Sequence, residues 1–184
     1  MEIRAKCKFD YEAIKALTHL SMFSFRRKTN PKKKMIILSI FFAYSIAALI
    51  VTHILQITSF NDDFIGYFLG GLCIILYLYI LFWYLFGPKI RYKALAKLKN
   101  AENEYVFCDD VFRVFTKTEV YDGKAEVEYS LFVKVYETSK YIFMYQTNNQ
   151  VFPIDKSTIE GGTVEDIRAK LMPYLGKKYI ICKY

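Results

Sequence analysis

Asp109 and Asp110 stand side by side between two strand-like runs, and paired carboxylates are a first place to look for acid–base or metal chemistry. That chemistry needs a partner base, nucleophile or ligand set converging on the pair. Neighbouring side chains in a strand point to opposite faces, and in a turn they are solvated, so these two alone do not make a catalytic dyad. Gly161-Gly162 before Thr163 could cradle a phosphate at a helix N-terminus, but two glycines ahead of a capping threonine also suit an ordinary loop. Lys134, Lys140 and Lys156 could line a basic rim for an acidic ligand, although exposed lysines on a strand face are mostly just solvated. His19 and His53 are the only histidines. Cys7, Cys73, Cys108 and Cys182 are scattered, with no CxxC pair and no metal-ligand spacing. No catalytic, cofactor-binding or metal-ligating residue is assigned, no cofactor is expected, and the chain is read as a non-enzyme. Lys134 and Lys156 are kept as the candidate binding rim.

The elements that would carry these residues are dominated by two uncharged runs, Met35 to Phe60 and Phe64 to Pro88, separated only by Asn61-Asp62-Asp63. A bilayer core about 30 Å thick needs roughly 20 apolar helical residues, so each run is long enough to span. A loop this short makes the two helices antiparallel. Charge sets their orientation. The net charge of +8 is concentrated beside these runs: residues 1–34 hold ten Lys/Arg against three acids, and residues 89–101 hold five and none. Arg26, Arg27, Lys28, Lys32, Lys33 and Lys34 precede the first run, and Lys89, Arg91, Lys93, Lys97 and Lys99 follow the second. The positive-inside rule then puts both termini in the cytoplasm of a multi-pass plasma-membrane protein, with Asp62 and Asp63 outside. Nucleic acid is not expected as a partner, because the basic residues flank the apolar runs and residues 102–184 are mildly acidic. A basic collar of this kind attracts anionic lipid headgroups. Within the runs, Ser39, Ala43 and Ala47, and Gly66 and Gly70, are small residues at spacing four, as close helix packing requires. They predict hairpin packing, with a homodimer as the sharper alternative.

Four segments result: 1–34, a strand and an amphipathic helix; 35–88, the hairpin; 89–103, a basic connecting helix after Pro88; and 104–184, a β-rich domain with a C-terminal helix. Residues 2–9 alternate polar and apolar and read as a half-buried strand, followed by an N-cap at Asp10 and an apolar helical stripe to about Phe25, which packs on the soluble domain or lies at the membrane interface. Strands are expected at 105–108, 111–116, 125–129, 131–137, 141–146 and 151–154, with a tight turn at Asp122-Gly123. Thr163 to Asp166 resembles a capping box for a helix carrying Val164, Ile167, Leu171 and Leu175, its register disturbed at Pro173. Lys178 to Cys182 reads as a last strand. The fold class is a membrane α-helical hairpin plus a small α+β domain, its antiparallel sheet bent toward a partial barrel and closed by the C-terminal helix.

Val133-Lys134-Val135-Tyr136-Glu137-Thr138, followed by Tyr141-Ile142-Phe143-Met144-Tyr145, and Val151-Phe152-Pro153-Ile154-Asp155-Lys156 give the chain a family likeness. It resembles the YcxB-like family of bacterial membrane proteins over most of residues 35–175. Tyr129-Ser130-Leu131 stands where the family often carries a tryptophan, and Ser157 replaces a second basic residue. The resemblance implies a cytoplasmic domain similar to pleckstrin-homology-like folds and brings no catalytic residues. The function expected is binding of a protein partner or of lipid headgroups at the inner leaflet. The alternatives are a small oligomeric channel or transport component and a toxin or bacteriocin immunity protein.

Overall fold

The computed structural model describes residues 2–22, 30–55, 60–95, 102–117 and 122–182. Strand β1 (Ile3–Lys8) buries Ile3, Ala5 and Cys7 and exposes the charged residues between them, as its alternation requires. It pairs antiparallel with β2 (Glu102–Phe107), so the N-terminal strand joins the sheet that follows the hairpin in the chain. β2 continues to β3 (Val111–Lys117), and β3 to β4 (Asp122–Glu128), giving the order β1-β2-β3-β4. The second sheet has the order β7-β6-β5-β8, from β5 (Lys134–Glu137), β6 (Tyr141–Tyr145), β7 (Val151–Asp155) and β8 (Tyr179–Ile181). All pairs are antiparallel except β5 with β8. Helix α4 (Val164–Leu175) crosses over to bring β8 alongside β5 in parallel.

Aromatic rings from both sheets meet between them. Phe107 and Phe112 lie 5.0 Å apart by ring centroid, and Phe112 and Phe132 5.5 Å. Ile142, Phe143 and Ile154 join them, and Ile167, Leu171 and Leu175 of α4 are buried against the same core. The capping box is formed as read: Thr163 Oγ1 accepts from the Asp166 amide, and the Asp166 carboxylate accepts from the Thr163 amide. Pro173 does not end α4, which runs on to Leu175.

The sheets are sewn together where β1 passes β7. Arg4 and Glu160 exchange two backbone hydrogen bonds of 2.9 and 2.8 Å, and the Lys6 amide donates to Thr158 Oγ1 at 2.8 Å. Gly161 and Gly162 serve this seam rather than an anion. Gly161 has φ +74°, and a Cβ there would lie 2.8 Å from the Glu2 carbonyl oxygen; one on Gly162 would lie 2.8 Å from Ile3. The expected turn at Asp122-Gly123 falls elsewhere. Both residues are already in β4, opposite Lys117 and Thr116, and the residues that join β3 to β4, 118–121, lie outside the described residues. The run expected as a strand from Leu131 begins instead with a 3-10 turn, Tyr129–Leu131, before β5.

Helix α1 (Tyr11–Met22) starts where Asp10 Oδ1 accepts from the Ala13 amide at 2.8 Å. α2 (Pro31–Ile54) and α3 (Phe60–Ala94) form the hairpin. Asn61-Asp62-Asp63 is not the connecting loop but the first turn of α3 in its backbone, where acidic residues favour the helix dipole. Residues 56–59, between the two helices, lie outside the described residues. Both helices are long and apolar enough to cross a membrane, and in their most apolar windows only 6% of residues are buried. A core helix of a water-soluble domain would be mostly buried; here Ile37, Ile40, Phe41, Leu69, Ile75 and Leu78 all stand exposed.

The hairpin contact corrects the small-residue reading in part. Leu49 packs over Gly66 and Gly70: a Cβ on Gly66 would be 3.9 Å from Leu49 Cδ2, and one on Gly70 2.8 Å from Cδ1. Ser39 Oγ hydrogen-bonds Tyr77 Oη at 2.9 Å, and Phe42 stacks on Tyr77 at 4.1 Å. Ala43 and Ala47, however, are exposed. At about 100° per residue, the face bearing Ser39, Phe42 and Leu49 turns Ala43 away from α3. A run of small residues at spacing four therefore did not identify the packing face of α2.

Candidate functional site

The end of the hairpin nearest the sheets is built around a proline. Pro88 lies inside α3, which continues to Ala94 instead of stopping there, so no separate helix covers 89–103; β2 already begins at Glu102, and 96–101 lie outside the described residues. A proline lacks the amide that would bond the carbonyl four residues back, here that of Tyr84. His19 of α1 supplies the missing donor: its Nε2 lies 3.2 Å from the Tyr84 carbonyl oxygen. A carbonyl can only accept, which fixes the Nε2–H tautomer. The imidazole also stacks on the Tyr84 ring at 4.5 Å. Burial pulls the His19 pKa down, against the opposing effect of the Tyr84 bond, with Lys15 and Lys32 adding to the fall. His19 is thus a neutral donor at pH 7.

α1 is held between the hairpin and the sheets by further contacts. Ala13 and Leu20 enter the domain core, Tyr11 meets Tyr92 edge-on at 5.8 Å, and Arg91 Nη1 donates to Ser21 Oγ at 3.1 Å. A Cβ on Gly87 would stand 3.1 Å from the Trp83 ring and 3.7 Å from Thr18, so glycine permits the close approach of α1 and α3. The amphipathic N-terminal helix therefore packs on the soluble domain and on the hairpin together. Replacing His19 by phenylalanine keeps a stacking ring and removes the donor. The loss of this hydrogen bond to a part-buried carbonyl is expected to cost about 1–3 kcal/mol, read as a lower thermal midpoint; a His19→Phe protein as stable as the parent would show that the bond contributes nothing.

Beside this joint is a groove of about 290 Å³ between α1, the first turn of α2 and the β5–β6 turn. Lys15, Lys32 and Lys140 enter it from three different elements, with His19, Asn30 and Ser139 between them. Glu12 is the one acid among its described lining residues, 3.5 Å from Lys15. Asn30 caps α2 by accepting from the Lys32 amide at 2.8 Å. Lys140 lies over the Tyr141 ring at 5.1 Å; its contact with that side chain, then the more distant Asp155 and Asp10, hold it firmly protonated.

A second cluster of charge is turned inward. The Glu137 carboxylate, 5% exposed, accepts from Lys156 Nζ at 2.9 Å, from Arg168 Nη2 at 2.9 Å and Nε at 3.2 Å, and from Tyr179 Oη at 2.6 Å. Burial pushes the carboxyl up, but the hydrogen bonds from Arg168, Tyr179 and Lys156 outweigh it and hold Glu137 below the ordinary glutamate range. Burial, then the facing carboxylate, push the Tyr179 hydroxyl up, so it keeps its proton and donates. This cluster joins β5, the turn after β7, α4 and β8. It is a lock, not an open site.

The sequence-predicted residues fall out accordingly. Lys156 does not stand on a solvated rim, because Glu137 draws it inward. Lys134 donates to Asn148 at 3.1 Å and lies over the Tyr145 ring at 4.8 Å, so the two do not meet as a rim. Lys32, Lys33, Lys89, Arg91 and Lys93 are exposed near the domain end of the hairpin. Lys34 is half-buried, and Arg26, Arg27 and Lys28 lie outside the described residues. Asp109 and Asp110 occupy the exposed β2–β3 turn, Asp109 bonded to Lys170 at 2.7 Å. Burial, with Asp155 and Asp10 adding to it, pushes the Cys7 thiol up to about 12, far from a reactive thiolate. Lys15 and Arg168 were not singled out from the sequence, His19 stood there only as one of two histidines and Glu137 only as part of a strand motif. The one signal for His19 was Pro88 inside a helical run, which asks for a donor from elsewhere.

The arrangement defines a class: a long apolar two-helix hairpin carrying a small two-sheet α+β domain, joined by a polar and aromatic contact layer. Residues 115–171 match the family model described as YcxB-like protein, so the resemblance read from the strand motifs holds over that stretch, from the end of β3 into α4, and does not reach the hairpin. No curated protein and no solved structure matches the chain.

Proposed function

We propose that this chain is a two-span membrane protein whose α+β domain, a pleckstrin-homology-like fold, sits against the cytoplasmic leaflet and acts by binding rather than catalysis. The observation that carries the reading is the hairpin itself: two helices able to span, with exposed apolar surface over most of their length. Burying that surface in lipid gains roughly 25 cal/mol per Å². The lysines and arginine at the domain end of both helices favour the cytoplasmic side for that end. Two four-stranded sheets closed by a C-terminal helix support the pleckstrin-homology-like reading. The partner class is a protein or anionic lipid headgroups, presented to a domain that α1 holds close to the membrane surface.

The test is topology. A variant without native cysteines carries one new cysteine, either at Asn61 or at Ser130, an exposed residue of the domain. A membrane-impermeant thiol reagent added to intact cells is expected to label Asn61→Cys and to reach Ser130→Cys only after permeabilisation. Labelling of Ser130→Cys from outside, or recovery of the protein from the soluble fraction, would overturn the reading.

A further inference from the structure

The groove between α1, the first turn of α2 and the β5–β6 turn collects cations from three elements at the level where the apolar hairpin begins. We propose that it binds a phosphate group, and that the phosphodiester of an anionic phospholipid lying beside α2 is its natural source; this rests on the membrane placement proposed above.

Three features support a site rather than solvated lysines. The surface is concave, with a volume of about 290 Å³, close to the lower end of small-ligand pockets. Its charge is one-sided: Lys15, Lys32 and Lys140 line it from separate elements, Glu12 is the one acid among its described lining residues, and burial keeps His19 neutral against the opposing pull of the Tyr84 bond. One wall is the first turn of α2, a helix of 24 residues, whose N-terminal dipole favours an anion. Asn30 already occupies the Lys32 amide, so a phosphate would meet the lysine ammoniums and the field of the helix end. The fold brings these parts together because His19 and Tyr11 pin α1 to α3 while Ala13 and Leu20 pin it to the core. A lipid with its chains along α2 would carry its phosphate to this depth, where Lys32 follows the buried Pro31 and precedes the buried Met35.

The experiment uses the full chain purified in a non-ionic detergent and titrated with phosphatidylglycerol, with phosphatidylcholine and with inorganic phosphate, bound species being counted by native mass spectrometry. One phosphatidylglycerol per chain is expected to persist under conditions that strip phosphatidylcholine. Combined replacement of Lys15, Lys32 and Lys140 by glutamine should weaken that binding at least tenfold, while Lys117→Gln with Lys124→Gln, on the far sheet, leaves it unchanged. Equal thermal midpoints for both variants would show that folding is intact. Competition by millimolar inorganic phosphate supports recognition of the phosphate itself, whereas phosphatidylglycerol binding that phosphate cannot displace supports the lipid as source. Equal retention by the triple variant, or no preference for phosphatidylglycerol over phosphatidylcholine, overturns the proposal. The thiol-labelling result stands apart from this outcome: correct topology with no phosphate preference removes the groove as a site and leaves the membrane-tethered binding module in place.

Discussion

Glu137→Ala is expected to destabilise the α+β domain by about 3–5 kcal/mol, the cost of removing one partner from a buried charge cluster. Among the described residues the carboxylate is the only acid bonded to Lys156 and, at close range, to Arg168, and it is also the acceptor for Tyr179. Without it two cations remain at 18% and 29% side-chain exposure, facing each other across a lost anion. Part of the effect is strand registry: β8 is three residues long, pairs parallel with β5 and is tied to Glu137 through the Tyr179 hydroxyl. Urea unfolding of the purified full chain would measure the loss. The pH dependence supplies an independent check. Because the folded-state pKa of Glu137 lies below its ordinary value, its contribution is fully present above the unfolded pKa of about 4.3 and is lost as pH falls through the folded value. Glu137→Gln imitates the protonated form. The parent should therefore be more stable than Glu137→Gln at pH 6–7, with the difference closing below about pH 4. A gap that stays constant into acid would mean that the carboxylate charge is not what stabilises the cluster.

How far the molecule could be read from residue order depends on the range of the interaction concerned. Local patterns were legible. The alternation of Ile3 to Lys8, the cap at Asp10, the capping box at Thr163 and Asp166, and the two apolar runs each lie within a few residues and have one dominant physical solution. What failed depended on distant partners. Pro88 reads as a helix stop because nothing near it in sequence can replace the missing amide; His19, far along the chain, does so. Ala43 and Ala47 read as packing residues because spacing alone fixes a helical face but not which neighbour it meets. Lys156 reads as an exposed strand-end lysine until Glu137, nineteen residues away, is brought beside it. The groove has the same origin: Lys15, Lys32 and Lys140 share no motif and converge only because α1 is wedged against both the sheets and the hairpin.

That wedge depends on β1, so Gly161→Ala is expected to act well beyond its own loop. At φ +74° any side chain costs about 1–2 kcal/mol. The new Cβ would also fall 2.8 Å from the Glu2 carbonyl oxygen, a backbone atom that cannot rotate aside. Relief requires β1 to move, which strains the paired hydrogen bonds of Arg4 with Glu160 and the bond from the Lys6 amide to Thr158. The combined cost is put at about 2–4 kcal/mol, adding local strain to the conformational term. Gly176 provides the control. Its φ is +49°, but nothing lies within 4 Å of a Cβ built there, so Gly176→Ala should show the conformational penalty alone, about 1–3 kcal/mol. Thermal midpoints would rank the two, and hydrogen exchange would locate the difference, with faster exchange in Ile3–Lys8 for Gly161→Ala only. Similar losses in both variants with β1 still protected would show that the β1 contact is not the source. Because β1 runs directly into the Asp10 cap of α1, loosening it also frees the helix that carries Lys15 and His19 to the groove. Gly161→Ala should therefore weaken phosphatidylglycerol retention although no groove residue is changed, whereas Gly176→Ala should leave it intact.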